Sequence, residues 1–123
     1  MIYLASPYTH PDPAVREQRF DAACVVAALL LREGHLVFSP IAHSHPLMRF
    51  GLPIEWDFWS RYDSCHLERC DEVLVLMLDG WEESRGVQAE IALAKSLGKP
   101  VWYRGASRVS TPTLAHVATE ERV

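Results

Sequence analysis

Two spacings alternate along the chain: short unbroken apolar runs, and longer stretches in which apolar residues return every three to four positions. Met1 to Ala5 is an apolar run cut by Ser6-Pro7, which predicts a buried strand ending in a turn. Asp12-Pro13 then offers an N-cap followed by proline at the first helical position, and the pattern stays helical to Glu33, with Gly34 as its stop. Leu36-Val37-Phe38 reads as a second strand ended by Ser39-Pro40. From Ile41 to Pro53, two prolines, a glycine and two histidines leave no clear period, which predicts a long loop acting as a lid or pocket wall. Ile54 to Cys70 is helical again, Glu72 to Met77 is a near-continuous apolar strand, and Asp79-Gly80 turns the chain. A helix from about Gly86 to Leu97 stops at Gly98, and Pro100 to Tyr103 is a fourth strand.

This order predicts a single domain over residues 1–123 of α/β class, a three-layer flavodoxin-like (Rossmann-like) parallel sheet with helices on both faces. Ligands in such sheets bind outside the carboxyl ends of the strands, so Ser6 to His10, Ser39 to His45 and Asp79 to Gly86 are expected to converge there. A short helix is expected after Thr111-Pro112. Ala22 to Leu31 is apolar around nearly the whole first helix, which calls for cover on more than one side. That cover is either the C-terminal tail or a second copy of the chain. The second choice implies a homo-oligomer, a dimer or tetramer.

Composition narrows the functional classes. The chain has 123 residues and a formal charge of -4, which supplies no basic field for polymeric nucleic acid and no polybasic stretch for a membrane. The three cysteines, Cys24, Cys65 and Cys70, form no CxxC pair, and the N-terminus lacks the basic start of a signal peptide. These features fit a cytoplasmic protein whose partner is a small molecule. The sequence has no GxGxxG, no P-loop lysine signature and no GxSxG elbow, and no cofactor is expected.

Two carboxylates interrupt apolar helix faces. Trp56, Trp59, Asp63, Leu67 and Cys70 share one face of the second long helix, and Val87, Glu90, Ala94 and Leu97 share one face of the next. A carboxylate among apolar neighbours is costly unless it is paired, hydrogen-bonded or used in chemistry. Asp63 has Arg61, His66 and Arg69 nearby as structural partners, and Glu90 lies near a helix N-terminus that favours its charge. Ser84-Arg85-Gly86 puts a hydroxyl, a cation and flexible backbone at that same N-terminus, a combination suited to an anionic or hydroxyl-rich ligand as well as to plain capping.

These residues carry a resemblance. Ile2-Tyr-Leu-Ala-Ser-Pro-Tyr8, Asp63 ahead of the strand-opening Asp71, and Ser84-Arg-Gly-Val-Gln-Ala-Glu90 with Gly98-Lys-Pro-Val101 resemble the nucleoside 2-deoxyribosyltransferase superfamily, which includes the deoxynucleoside 5'-monophosphate N-glycosidases. The likeness runs from residue 1 to about 103. It implies cleavage of an N-glycosidic bond in a small nucleoside or nucleotide, by hydrolysis or base transfer. It also implies Glu90 as nucleophile, Asp63 as the group assisting at sugar or base, Ser84 at the phosphate or 5'-end, and Tyr8 lining the sugar pocket. The sequence departs from the superfamily pattern where Val87-Gln88 follow Gly86, and in the segment Ser39 to Pro46, which is closer to a bacterial branch. The alternative is a non-catalytic nucleotide-binding or sensing domain of the same fold.

Further candidates are weighed beside these. Ser6 and Gly86 fall at the expected ligand edge, and His43 and His45 are read as polar contacts to sugar, base or phosphate rather than as metal ligands, for want of an acidic residue or cysteine at diagnostic spacing. Asp79 and Trp81 occupy the turn after the third strand, where Trp81 could stack a base, while Trp102 is expected in the core. Arg16 and Arg19 either reach a 5'-phosphate or lie on a solvated helix face.

Overall fold

The computed structural model describes residues 1–105. In chain order the elements are β1 (Ile2–Ala5), α1 (Pro13–Arg32), β2 (Val37–Phe38), α2 (Pro40–Met48), α3 (Trp56–Arg69), β3 (Glu72–Met77), α4 (Arg85–Ser96) and β4 (Val101–Gly105). The strands form one parallel sheet in the order β2-β1-β3-β4. Ala5 pairs with Val75, and Met77 with Gly105, so the strand ends lie in register along one carboxyl edge. This is the expected flavodoxin-like α/β architecture.

Right-handed crossovers then fix the layers. The β1-α1-β2 connection runs in one direction along the sheet, and both β2-α2-α3-β3 and β3-α4-β4 run in the other, so α1 covers one face and α3 with α4 the opposite one. Strand alternation sorts the side chains accordingly. Tyr3, Ala5, Val73 and Val75 pack with Leu67, Val87, Ile91 and Ala94 of α3 and α4. Leu4 and Leu76 pack with Val26 and Leu30 of α1. The direction of travel reverses between β1 and β3, where an α/β sheet opens a crevice at its carboxyl edge.

Local chemistry sets the ends of the elements. The Asp12 side chain accepts from the Ala14 amide and Pro13 occupies the first turn of α1, while Gly34 takes the left-handed φ of 96° that stops it. Lys99, in the Gly-Lys-Pro-Val segment, donates from Nζ to the carbonyls of Leu67, Glu68 and Cys70. It therefore caps the C-terminus of α3, where a cation is favoured.

Three sequence expectations are corrected. The segment Ile41 to Pro53 is not a loop throughout: Ser39 accepts from the Ala42 amide, Pro40 enters the first turn, and α2 runs to Met48. Pro46 sits inside that helix, and its presence with the two histidines obscured the period. Trp102 is not in the core. It is 56% exposed, because the cluster that α1 covers on its sheet face takes in β1 and β3 but no residue of β4 among the described residues. Leu97 is also exposed, one step beyond the end of α4. The helix expected after Thr111-Pro112 lies outside the described residues.

On α1, only Ala23, Val26 and Leu30 are fully buried; the other apolar positions from Ala22 to Leu29 are half-buried and Leu31 is exposed. No helix among the described residues is long and apolar enough to cross a membrane.

Candidate functional site

A cavity of about 350 Å³ opens at the carboxyl edge, within the range of small-molecule sites. Its walls come from the segment after β1 (Ser6, Tyr8, Thr9), the face of α2 (Pro40, Ile41, Ser44), α3 (Trp56, Trp59, Asp63) and the start of α4 (Ser84 to Val87, with Glu90). The converging segments anticipated from the strand ends do meet here. The 41–53 segment forms a pocket wall as helix rather than loop.

Asp63 and Glu90 are both buried and both line this cavity. They arrive there because α3 and α4 pack side by side on one face of the sheet, each turning its interrupted apolar stripe inward. The surface partners available to Asp63 do not hold it. Arg69 donates to the carbonyl and sulfur of Cys65, His66 stacks on Phe38, and Asp63 Oδ1 has no hydrogen-bond partner among the described residues. Burial pushes the Asp63 carboxyl up to about 7. Glu90 accepts a hydrogen bond from the Tyr3 hydroxyl. Burial raises the Glu90 carboxyl well above the ordinary range; the Tyr3 hydrogen bond opposes that shift and the Asp63 charge adds to it. The Tyr3 phenol is in turn raised, first by burial and then by the Glu90 charge.

Two desolvated carboxyl groups in one cavity resist ionising together. Of the two, Glu90 is the one that accepts from a hydroxyl donor among the described residues. That division is suited to chemistry needing one carboxylate and one carboxylic acid.

The rest of the wall is polar at one end. Ser84 caps α4 by accepting from the Val87 amide, and Arg85 reaches across to Asp57 of α3 at 2.9 Å, an exposed pair. A Cβ at Gly86 would come within 3.1 Å of the Trp56 ring, so the glycine lets this indole approach the first turn of α4 closely. Ser6 Oγ is buried in the wall without a hydrogen-bond partner among the described residues.

Of the residues singled out from the sequence, Glu90, Asp63, Ser6, Tyr8, Ser84 and Gly86 line the cavity, and four others do not. His43 is exposed and stacks on Tyr62. His45 lies behind the wall, bonded to Tyr8 and Glu17. Asp79 is exposed, and its carbonyl accepts from Arg19. Trp81 packs against the core and Tyr103 instead of facing the cavity. Arg16 and Arg19 also turn away, bonding the backbone of His10 and Thr9. Among the described residues, no three His, Cys, Asp or Glu side chains come together as a metal-binding group.

Tyr3 was not singled out, because an aromatic in an apolar strand reads as core. The signal lay in its hydroxyl, which a buried position obliges to find a partner. Trp56 likewise looks like an ordinary helix residue, and Ser44 falls in the segment that reads as a loop. A family model described as a domain of unknown function (DUF1937) matches residues 1–105. No curated protein matches the chain.

Proposed function

The chain belongs to the DUF1937 family, and for it we propose cleavage of the N-glycosidic bond of a small nucleoside or nucleoside 5'-monophosphate, by hydrolysis or base transfer. The observation that carries this reading is that two buried carboxyl groups line one cavity, one bonded to Tyr3 and the other with an oxygen that has no hydrogen-bond partner among the described residues. The resemblance of the Ser84 to Glu90 segment to the nucleoside 2-deoxyribosyltransferase superfamily supports the same assignment.

In this reading Glu90 attacks the anomeric carbon and forms a glycosyl ester as the carbon–nitrogen bond breaks. The bonding pair leaves with the base, which takes a proton from Asp63. Water, or a second base, then gives its proton to the Asp63 carboxylate and attacks the ester, releasing Glu90. Tyr3 holds the attacking carboxylate in place through its hydroxyl. Ser84, Arg85 and the first amides of α4 suit the 5'-end or its phosphate.

The test is direct. Full-length protein is incubated with a panel of deoxynucleosides and their monophosphates, and free base is followed by chromatography. Wild type is expected to release base from at least one member and Glu90→Ala from none. Ligand binding without base release by wild type would replace the enzyme with a nucleotide-binding domain.

We also propose that the protein works as a homo-oligomer in a reducing cytoplasm. Half-buried apolar positions on α1, the exposed Leu31 and Trp102, and three free cysteines support this. Light scattering at micromolar concentration is expected to give a dimer or tetramer, and a monomer would remove the proposal.

A further inference from the structure

Charge is distributed unevenly around the cavity. Besides Asp63 and Glu90, its lining holds Glu55 at the start of α3, Glu83 just ahead of α4, and one cation, Arg85. These three are exposed, so they stand at the opening and not in the depth. Arg85 is already matched, its guanidinium lying 2.9 Å from the Asp57 carboxylate. The nearby Arg16 and Arg19 bond backbone carbonyls elsewhere. Whatever protons the two buried acids hold, the opening presents two carboxylates and an arginine that has its counter-ion.

The interior agrees with the opening. Trp56 and Trp59 line the cavity beside Glu55, and the Trp59 indole is held by donation from Nε1 to the Pro53 carbonyl at 2.7 Å. An indole face attracts a cationic ring. Ser6 and Asp63, 6% and 7% exposed, line the same cavity, and each has an oxygen without a hydrogen-bond partner among the described residues. Buried polar atoms left in this way mark a place for a polar ligand. The positive end of α4 would by itself favour an anion, but Ser84 accepts from the Val87 amide there and Glu83 stands immediately before it.

A cleft lined by one sign of charge concentrates ligands of the opposite sign and repels those of its own. We propose that this cavity sorts N-glycosides by charge: it excludes a 5'-phosphate and favours a cationic base, with Glu55 and Glu83 as the specificity-determining residues. The identity of the ligand rests on the N-glycosidase reading, and of the two 5'-ends which that reading allows, the free hydroxyl is the one selected. Asp57 is a positioning residue that keeps the Arg85 cation from a phosphate.

One scaffold carrying three charges tests this. Calorimetry on the full chain with Glu90→Gln, which keeps the cavity without the nucleophile, compares 2'-deoxyguanosine, its 5'-monophosphate and its N7-methyl derivative, cationic at pH 6; thymidine and its monophosphate repeat the comparison with a pyrimidine. The monophosphates are expected to bind about ten-fold or more weaker than the nucleosides, and the cation about ten-fold tighter. Adding Glu55→Gln and Glu83→Gln is expected to compress that order, as is high salt. The Glu55 side chain makes no capping bond to α3, so this change leaves the helix start intact. Asp57→Asn is expected to strengthen the monophosphates alone. Charges that merely solvate the surface would leave the order untouched by the two glutamines, and that result, or a monophosphate bound as tightly as its nucleoside, would overturn the proposal. Base release by wild type is read separately on the same panel. Release without the charge order would overturn the sorting and leave the N-glycosidase reading intact; the charge order without release would do the reverse. Binding of none of the five would overturn both.

Discussion

Replacing Glu90 by glutamine is expected to lower base release by on the order of 10³-fold or more, while leaving the folded protein at least as stable as wild type. The two effects separate function from packing. Glutamine keeps the length and shape of the side chain, and its carbonyl can still accept from the Tyr3 hydroxyl that bonds Glu90 in the native protein. It cannot form a glycosyl ester. Burial raises the Glu90 carboxyl well above its ordinary range, so the native side chain is a burden on folding whenever it is ionised. A neutral amide removes that burden, and a thermal melt at pH 8 should show no loss of stability. A structural glutamate would behave in the opposite way, with full activity and a lower melting temperature. That pair of results would refute the assignment.

Asp63→Asn is expected to change the pH dependence of stability as well as activity. Burial pushes the native carboxyl up to about 7 from its ordinary 3.8, so between those values the folded chain keeps a proton that the unfolded chain has released. Stability rises with pH only where the unfolded state binds more protons. Here the folded state binds more, so the Asp63 contribution falls as pH climbs from about 4 to about 7 and stays low above that. The full shift corresponds to no more than about 4 kcal/mol. Urea unfolding at pH 4 should find the asparagine variant close to wild type, and at pH 8 it should find the variant more stable. Glu90 is shifted in the same direction, so the variant retains part of the slope. Parallel pH profiles for the two proteins would show that Asp63 is not desolvated. Loss of the acid is expected to reduce base release by about 10²- to 10⁴-fold, most where the leaving base is hardest to expel.

Much of this molecule is written locally. The α1 boundaries are legible because Asp12, Pro13 and Gly34 act through their own backbone geometry, whatever lies around them. β3 is legible because a strand covered on both faces is apolar almost throughout, here from Val73 to Met77. The interrupted stripes of α3 and α4 pointed to Asp63 and Glu90, since helical spacing alone places a side chain on a buried face. α2 was hidden by Pro46 and by residues whose period is broken, although Ser39-Pro40 had already given its start.

The remaining decisions belong to the tertiary structure. The phenol of Tyr3 becomes a partner of Glu90 only because β1 lies against α4, far away in sequence. Packing of α1 against α2 turns His45 from a ligand contact into a support for Tyr8, and backbone carbonyls claim Arg16 and Arg19. Sequence by itself determined the elements other than α2, the parallel α/β class and the two buried acids, because these follow from short-range geometry and the cost of desolvation. Only the assembled fold decided which groups face those acids, because hydrogen bonds between distant segments depend on how the elements meet.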